Sequence, residues 1–232
     1  MRYVIVSIDN TRQGYKEAIR ARLEGWTEVF IPAVNGNRDV EINAYLEYHN
    51  VPPITFPGLK VGQLGRWLSF LNHLEKLDGE PLFVIEDDGI LSRDFIDKVT
   101  PLLNDMPADA DFFSLFVPRN RPTQVYSGGM YPAFGGPSNG TIMPEWNIGH
   151  DIIVRAHQPY GGVGMFLYPS MYEKIKEMLA RESITGQFDD VIYARSQAGV
   201  LNGYSIVPDM PDLVNIIPGI PSTVHETKYY GE

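Results

Sequence analysis

Short apolar runs alternate with helical stripes along much of the chain, and this alternation is typical of an α/β fold. The apolar, β-branched run at 3–8 predicts a buried strand, and the spacing of apolar residues over 11–23 predicts a helix after it. The clearest helix is predicted over 61–77, where leucines and a tryptophan form one broad stripe. Further strands are predicted at 27–31, 81–85, 111–117 and 164–168, and further helices after Ser92 and at 170–179 and 190–198.

Three long segments lack such periodicity. Residues 32–60 contain Pro52-Pro53 and Pro57-Gly58, and regular structure is not expected there. Residues 118–149 are rich in Gly, Pro, Asn and Ser with interspersed aromatic residues, and we expect a binding loop or lid there. Residues 204–232 contain four prolines and are predicted to form an irregular C-terminal tail. Because no repeat or domain linker is visible, residues 1–232 are predicted to form a single α/β domain with a mainly parallel twisted sheet flanked by helices.

Composition limits the possible chemistry. The 232 residues include no cysteine, so disulfides and thiolate metal sites are excluded. The formal net charge of −10 disfavours nucleic acid as a partner, without excluding a local basic groove. No apolar run has the length of a membrane span and the chain opens directly into a strand, so we expect a cytoplasmic protein.

An acidic triplet follows the predicted strand at 81–85. Glu86, Asp87 and Asp88 would lie at the carboxyl end of this strand, where open α/β sheets bind ligands. Three adjacent carboxylates repel one another, and a Mg²⁺ or Mn²⁺ ion would relieve that repulsion. Such an ion would bridge a diphosphate and neutralise charge on a departing nucleotide. A solvated acidic turn is the alternative interpretation.

The segments 61–69 and 81–88 together resemble glycosyltransferase family 25. Members of that family, which include lipopolysaccharide-modifying transferases and collagen galactosyltransferase domains, carry a G-E-x-G-C-x-x-S-H-like helix and then an apolar strand ending in E-D-D. Here Gly62, Gly65 and Ser69 match, whereas Arg66 replaces the usual cysteine and Phe70 the usual histidine. Looser matches lie at 6–12, 32–36, 159–167 and 188–190.

This resemblance implies a GT-A-type, Rossmann-like fold and a hexosyltransferase activity. The expected reaction moves a hexose from a UDP-sugar to an acceptor hydroxyl with inversion, assisted by Mn²⁺ or Mg²⁺. The acceptor would be a glycan, a protein or a modified nucleobase.

The resemblance also assigns roles to individual residues. Asp88 is the best candidate metal ligand and Glu86 a weaker one, while Asp87 would contact the ribose or a metal-bound water. Enzymes of this type often add a histidine from late in the chain, and His225 is the natural candidate. An exposed tail histidine is the alternative for that residue.

The remaining candidates face the donor and the acceptor. Asp9, Asn10 and Arg12 would hold the uracil and ribose, although ordinary turn chemistry also explains Asp and Asn there. Gly62 would permit close approach of the backbone to the donor, with helix packing as the alternative. For the general base that inversion requires, the candidates are two adjacent carboxylates that would otherwise cap a helix, Asp189 and Asp190.

Two other function classes stay open. A metal-dependent nucleotidyltransferase also uses acidic residues at strand ends, but it should show a Gly-rich basic loop near the N-terminus, and 9–12 is not one. A non-catalytic module that binds a sugar or nucleotide on the same fold would have no need of the acidic triplet. The glycosyltransferase is therefore the preferred hypothesis.

Overall fold

A computed structural model of the chain describes residues 1–8, 12–52, 55–116, 153–155, 163–206 and 213–217. The predicted loop at 118–149 lies outside this part of the chain. The helices are α1 Gln13–Arg22, α2 Asp39–Tyr48, α3 Val61–Glu75, α4 Phe95–Asn104, α5 Ser170–Arg181 and α6 Phe188–Gln197. The strands are β1 Arg2–Val6, β2 Thr27–Glu28, β3 Leu82–Glu86, β4 Gly89–Leu91, β5 Phe112–Ser114, β6 Ile153–Arg155, β7 Gly164–Leu167, β8 Gly203–Ile206 and β9 Val214–Ile216.

Seven of these strands form one sheet in the order β2-β1-β3-β7-β5-β8-β6. β1 pairs in parallel with both β2 and β3, and β5 pairs in parallel with β8. β7 is antiparallel to both of its neighbours, and β6 is antiparallel to β8. Five strands therefore run in one direction and two in the other. The predicted α/β class with a mainly parallel sheet is confirmed.

Helices cover both faces of the sheet. In β3 the side chains of Leu82 and Val84 join a core with α2, α3, α5 and α6, whereas those of Phe83 and Ile85 join a second core with α1 and α4. Alternate residues of a strand point to opposite faces, so a strand buried on both sides reads as a continuous apolar run. The run from 82 to 85 has this character, which is why its position in the sheet was predictable.

Helix α2 lies in a stretch that the sequence pattern left irregular. Its buried residues Ile42 and Leu46 are four apart and pack against α3 within the first core. The sequence pattern predicted this helix poorly, because its buried apolar stripe is narrow and prolines follow the helix closely. The spacing of Ile42 and Leu46, four positions apart, was the feature that indicated a helix.

The prediction of an irregular tail over 204–232 is wrong for two parts of it. Tyr204 and Ile206 belong to β8, which lies inside the main sheet between β5 and β6. Val214 begins β9, which pairs antiparallel with β4 in a separate two-stranded sheet. Pro208 and Pro211 lie in the sequence between these two strands. The prolines therefore indicated a break between strands, and regular structure resumes after them.

None of the helices in the described ranges combines the length and the apolar character that crossing a membrane requires.

Candidate functional site

The carboxyl ends of β1 and β3 meet at one edge of the sheet. The two strands pair in parallel register up to Val6 and Glu86, so the acidic triplet follows directly beside the loop that leaves β1. A cleft opens here between that loop, the segment 33–36 and the start of α3. Its lining includes all three acidic residues, together with Ser7, Arg12, Gly62, Arg66 and Ser69. The structure thus brings together the described part of the motif at 6–12, namely 6–8 and 12, with the segments 33–36, 62–69 and 86–88.

Asp87 is held by two side chains of the first loop and helix. One carboxylate oxygen accepts a hydrogen bond from Ser7 Oγ at 2.5 Å, and the other pairs with Arg12 Nη1 at 2.6 Å. The Asp87 side chain is only 7% exposed and that of Arg12 only 15%. Because both oxygens are engaged and nearly buried, Asp87 joins the two strand ends. Its predicted contact with a ribose or a metal-bound water stays a prediction.

Glu86 forms an ion pair with Arg66, which projects from the second turn of α3. The pair joins Glu86 Oε1 to Arg66 Nη2. Burial raises the pKa of Glu86, and the Arg66 guanidinium opposes that shift. Burial disfavours the charged form of Arg66, but Glu86, Asp189 and Asp88 outweigh it and raise the pKa of the guanidinium. Arg66 is therefore the positive centre of a carboxylate cluster.

Asp88 differs from its neighbours because one of its oxygens is unsatisfied. Its Oδ1 atom is buried and has no hydrogen-bond partner within the described residues. Burial and the adjacent Asp87 raise the pKa of Asp88, while Arg12 opposes the shift. Buried polar atoms in folded proteins nearly always have partners, so an orphaned carboxylate oxygen at a cleft requires an explanation. A bound cation would supply one.

The cluster does not by itself form a complete metal cage. Over the ranges that the structure covers, no three or more His, Asp or Glu side chains converge in a way that could hold a metal ion. The reason is visible in the contacts, since Glu86 faces Arg66 and Asp87 faces Arg12. Mg²⁺ and Mn²⁺ sites that also use substrate phosphates need only one or two carboxylates, so Asp88 with one further ligand fits this class.

Asp189 and Asp190 lie in the first turn of α6. The helix begins at Phe188 with Gln187 as its N-cap, so neither aspartate is the N-cap residue. Asp189 Oδ1 is buried without a described hydrogen-bond partner, and Asp189 influences the pKa values of both Glu86 and Arg66. The Asp190 side chain is more exposed than that of Asp189. Partial burial still raises the pKa of Asp190, and repulsion from Asp189 adds to the shift. Of the two, Asp189 is the one associated with the cleft cluster.

Two glycines of the family-like segments serve packing. An added Cβ on Gly36 would lie 1.9 Å from the Val61 carbonyl oxygen, and one on Gly65 would lie 2.7 Å from Gly36 N. Ser69 Oγ accepts from Val34 N–H and donates to the Gly65 carbonyl, both at 2.8 Å. Gly36 and Gly65 therefore allow the segment 33–36 to pack directly against α3. Gly62 has a different position, since it lines the cleft.

The site also contains residues that the sequence analysis did not select. Ser7 was not chosen as a candidate, although it follows β1 directly, and Arg66 was noticed only as a departure from the family pattern. The signal that could have identified Arg66 is its charge, because Arg66 lies among the apolar residues of α3 and charged residues are rarely buried without a partner. Asp9, Asn10 and His225 lie outside the described residues, so their assigned roles stay predictions.

Comparison with known proteins gives a limited result. No protein-family model matches the chain, and no curated protein matches it. Among solved structures, the chain is similar to the galactosyltransferase LgtC in complex with donor and acceptor sugar analogs, with a TM-score of 0.44 and 12% identity. The match covers 88% of this chain and 73% of that one. A likeness at this level carries no argument about activity, so the resemblance to family 25 rests on the quoted residues alone.

Proposed function

We propose that the protein is a metal-dependent glycosyltransferase of the GT-A type, which transfers a hexose from a UDP-sugar to an acceptor hydroxyl. The observation that carries the proposal is the orphaned, buried oxygen of Asp88 in a strand-end cleft that is crowded with carboxylates. Open α/β sheets bind their ligands at this edge. The resemblance of the segments 61–69 and 81–88 to family 25 selects a nucleotide-sugar among the possible ligands.

The charge balance of the cluster supports a cation. Four carboxylates, those of Glu86, Asp87, Asp88 and Asp189, interact with two guanidinium groups, those of Arg12 and Arg66. When all six groups are ionised, two negative charges remain uncompensated. A diphosphate entering this cleft would be repelled, and a divalent cation would remove the excess. Burial raises the pKa values of Glu86 and Asp88, and the neighbouring carboxylates add to both shifts.

The residues present fit such an ion in part. Asp88 would be its main protein ligand, with Glu86 as a weaker ligand that must share its carboxylate with Arg66, and His225 as the third candidate. When bound, Mn²⁺ or Mg²⁺ shares the charge of the diphosphate and stabilises the departing nucleoside diphosphate. Arg12 and Gly62 would line the donor pocket, with Asp87 fixing Arg12, and Asp9 and Asn10 would complete it.

Asp189 is the preferred general base for an inverting displacement. In this reaction the acceptor oxygen bonds to the anomeric carbon while the bond from that carbon to the diphosphate breaks. The acceptor proton passes to the Asp189 carboxylate, and UDP leaves with the bonding electrons. The buried, unpartnered Oδ1 of Asp189 and its electrostatic link to Arg66 support this choice over the outward-facing Asp190.

A non-catalytic module that binds a nucleotide or sugar is the second candidate. It is favoured by the two ion pairs, because Arg12 and Arg66 already compensate two of the carboxylates without any metal. The enzyme would turn over a UDP-sugar, whereas the binding module would only bind it. Only the enzyme releases UDP from a UDP-sugar in the presence of Mn²⁺ and an acceptor or water.

A donor panel tests the proposal. The melting temperature of the protein should be measured with UDP-glucose, UDP-galactose and GDP-mannose, each with Mn²⁺ and with EDTA. We expect a UDP-sugar to raise the melting temperature, and to raise it more with Mn²⁺, because a ligand that binds only the folded state stabilises it by mass action. If no nucleotide-sugar changes the melting temperature in either condition, the proposed function is wrong.

A further inference from the structure

Arg66 and Arg12 both line the cleft, but their ion pairs differ. The Arg12–Asp87 pair is almost buried, and Ser7 occupies the second oxygen of its carboxylate. The Arg66–Glu86 pair is more exposed, since its side chains are 18% and 22% exposed. A guanidinium carries five N–H donors and one carboxylate can accept at most a two-pronged pair of bonds, so Arg66 keeps donors for a second anion.

Arg66 lies between an aromatic cluster of the core and the cleft that it lines. Its Cζ atom lies 5.9 Å from the centroid of the Phe188 ring, and that ring packs on Trp67 and Phe70 in the core. A guanidinium holds its donors in one plane, where they match phosphate oxygens two at a time. Phe188 therefore places an aromatic ring of the core near the guanidinium, within the range of a cation–π contact.

From these contacts we infer that Arg66 is a donor-binding residue that contacts the diphosphate directly. This inference rests on the proposed function. Because Arg66 already pairs with Glu86, an arriving diphosphate competes with that carboxylate for the guanidinium. As the phosphate takes over N–H donors of Arg66, Glu86 loses part of its counter-charge and becomes a better ligand for a cation. Donor and cation binding are therefore coupled through Arg66.

If the metal alone held the donor, removing the cation would abolish UDP binding. The contact with Arg66 predicts a different result. With Arg66 in place, UDP retains part of its affinity when divalent cations are removed. Uridine lacks the diphosphate, so its affinity does not depend on Arg66. The ratio of UDP affinity to uridine affinity in EDTA therefore reports the contact between Arg66 and the diphosphate.

Calorimetric titration with UDP and with uridine tests the inference in Arg66→Gln, Arg66→Lys and wild-type protein, all in EDTA. We expect Arg66→Gln to weaken UDP binding about 10- to 100-fold, the usual range for losing charge-assisted hydrogen bonds, and to leave uridine binding unchanged. Arg66→Lys should recover part of the loss, because it keeps the charge without the two-pronged geometry. Arg20→Gln is the matched control, since Arg20 pairs with Glu28 and does not line the cleft.

Removing Arg66 alone leaves Glu86 without its counter-ion, so the double variant Arg66→Gln/Glu86→Gln guards against a folding defect. It should show the same selective loss of UDP affinity. If UDP binds Arg66→Gln as tightly as wild type, or if UDP and uridine weaken in parallel, the inference is wrong and the proposed function still stands. If wild-type protein binds UDP neither in EDTA nor with Mn²⁺, the proposed function fails, and the inference fails with it.

Discussion

At the scale of single residues, the three acidic side chains after β3 have different partners although they are adjacent in sequence. Asp87 is satisfied by Ser7 and Arg12, Glu86 is paired with Arg66, and Asp88 has a buried oxygen without a described partner. The three adjacent carboxylates therefore have three different environments. The sequence E-D-D alone does not reveal these differences between the three side chains.

Asp88→Asn should remove the effect of Mn²⁺ on UDP binding. The amide keeps the shape of the side chain but loses the charge that would hold the cation. We expect the melting temperature of the metal-free protein to stay the same or to rise slightly, because burial already disfavours the Asp88 carboxylate. UDP titration with and without Mn²⁺ measures the first effect. Asp94→Asn, on an exposed residue paired with Lys98, is the control.

Acidification should weaken Mn²⁺ binding at a higher pH than ordinary carboxylates would require. Burial raises the pKa of Asp88 above its usual 3.8 and that of Glu86 above 4.5, so protons compete with the cation as the pH falls through these raised values. By the same shift, these two groups make the metal-free folded state more stable as the pH falls through that window. Mn²⁺ titrations between about pH 7.5 and 4.5 measure the competition. A flat affinity across this range would contradict it.

Among site residues, sequence reasoning succeeded where a side chain follows a buried strand. Glu86, Asp87 and Asp88 could be placed at the sheet edge because the run before them is apolar on both faces of the sheet. The partners of those residues could not be predicted, since Arg66 lies 20 positions away and meets Glu86 only through the packing of α3 beside β3. Contacts of this kind depend on tertiary structure and leave no local pattern.

At the scale of elements, the segment 33–36 and helix α3 form one wall of the cleft through backbone contact. Gly36 and Gly65 have no room for a side chain at this contact, and Ser69 links α3 to Val34. The contact joins two segments that lie far apart in the sequence. The wall positions Gly62 and Arg66, which both face the cleft.

Gly36→Ala should destabilise the protein and disturb the cleft. The new methyl group would lie 1.9 Å from the Val61 carbonyl oxygen, so the backbone of the wall must move. We expect a loss of about 1–3 kcal/mol in the free energy of unfolding, the usual cost of overpacking, as measured by denaturant titration. Gly14→Ala in α1 is the control, because nothing lies within 4 Å of its added Cβ. Equal stability of the two variants would show that the wall is not tightly packed.

The elements that the pattern missed share a physical cause. Helix α2 buries only a narrow stripe that includes Ile42 and Leu46, and β8 is four residues long between turns and prolines. Short elements gain their stability from the partners they pack against and not from local propensity. The long helix α3 and the apolar strand β3 were predictable because each carries its own periodic signal.

At the scale of the whole molecule, the C-terminal part of the chain completes the sheet. β8 pairs with both β5 and β6, and Tyr204 is only 1% exposed. Asp111, which is fully buried, accepts from Lys174 Nζ at 2.5 Å and from Asn202 N–H at 2.7 Å, and so ties α5 and the entry of β8 to β5. The start of the segment that was expected to be an irregular tail, residues 204–206, is thus part of the core.

Truncation of the chain after residue 202 should therefore abolish cooperative folding. It removes β8 from the interior of the sheet and exposes the buried edges of β5 and β6. Thermal unfolding followed by circular dichroism should show no cooperative transition. Tyr204→Phe, which keeps the ring and loses the hydrogen bond that its hydroxyl donates to Asp109, should unfold cooperatively at a cost of about 1 kcal/mol. A truncated chain that melts like the intact one would contradict the role of β8.

The account as a whole depends on a nucleoside diphosphate and a divalent cation sharing the cleft between β1 and β3. Calorimetric titration of wild-type protein with UDP, in saturating Mn²⁺ and then in EDTA, tests this most directly. The charge balance of the cleft predicts binding at least about tenfold tighter with Mn²⁺, and the contact with Arg66 predicts the weaker binding that remains in EDTA. UDP that fails to bind in Mn²⁺, or that binds equally well without it, would contradict a metal-dependent donor site.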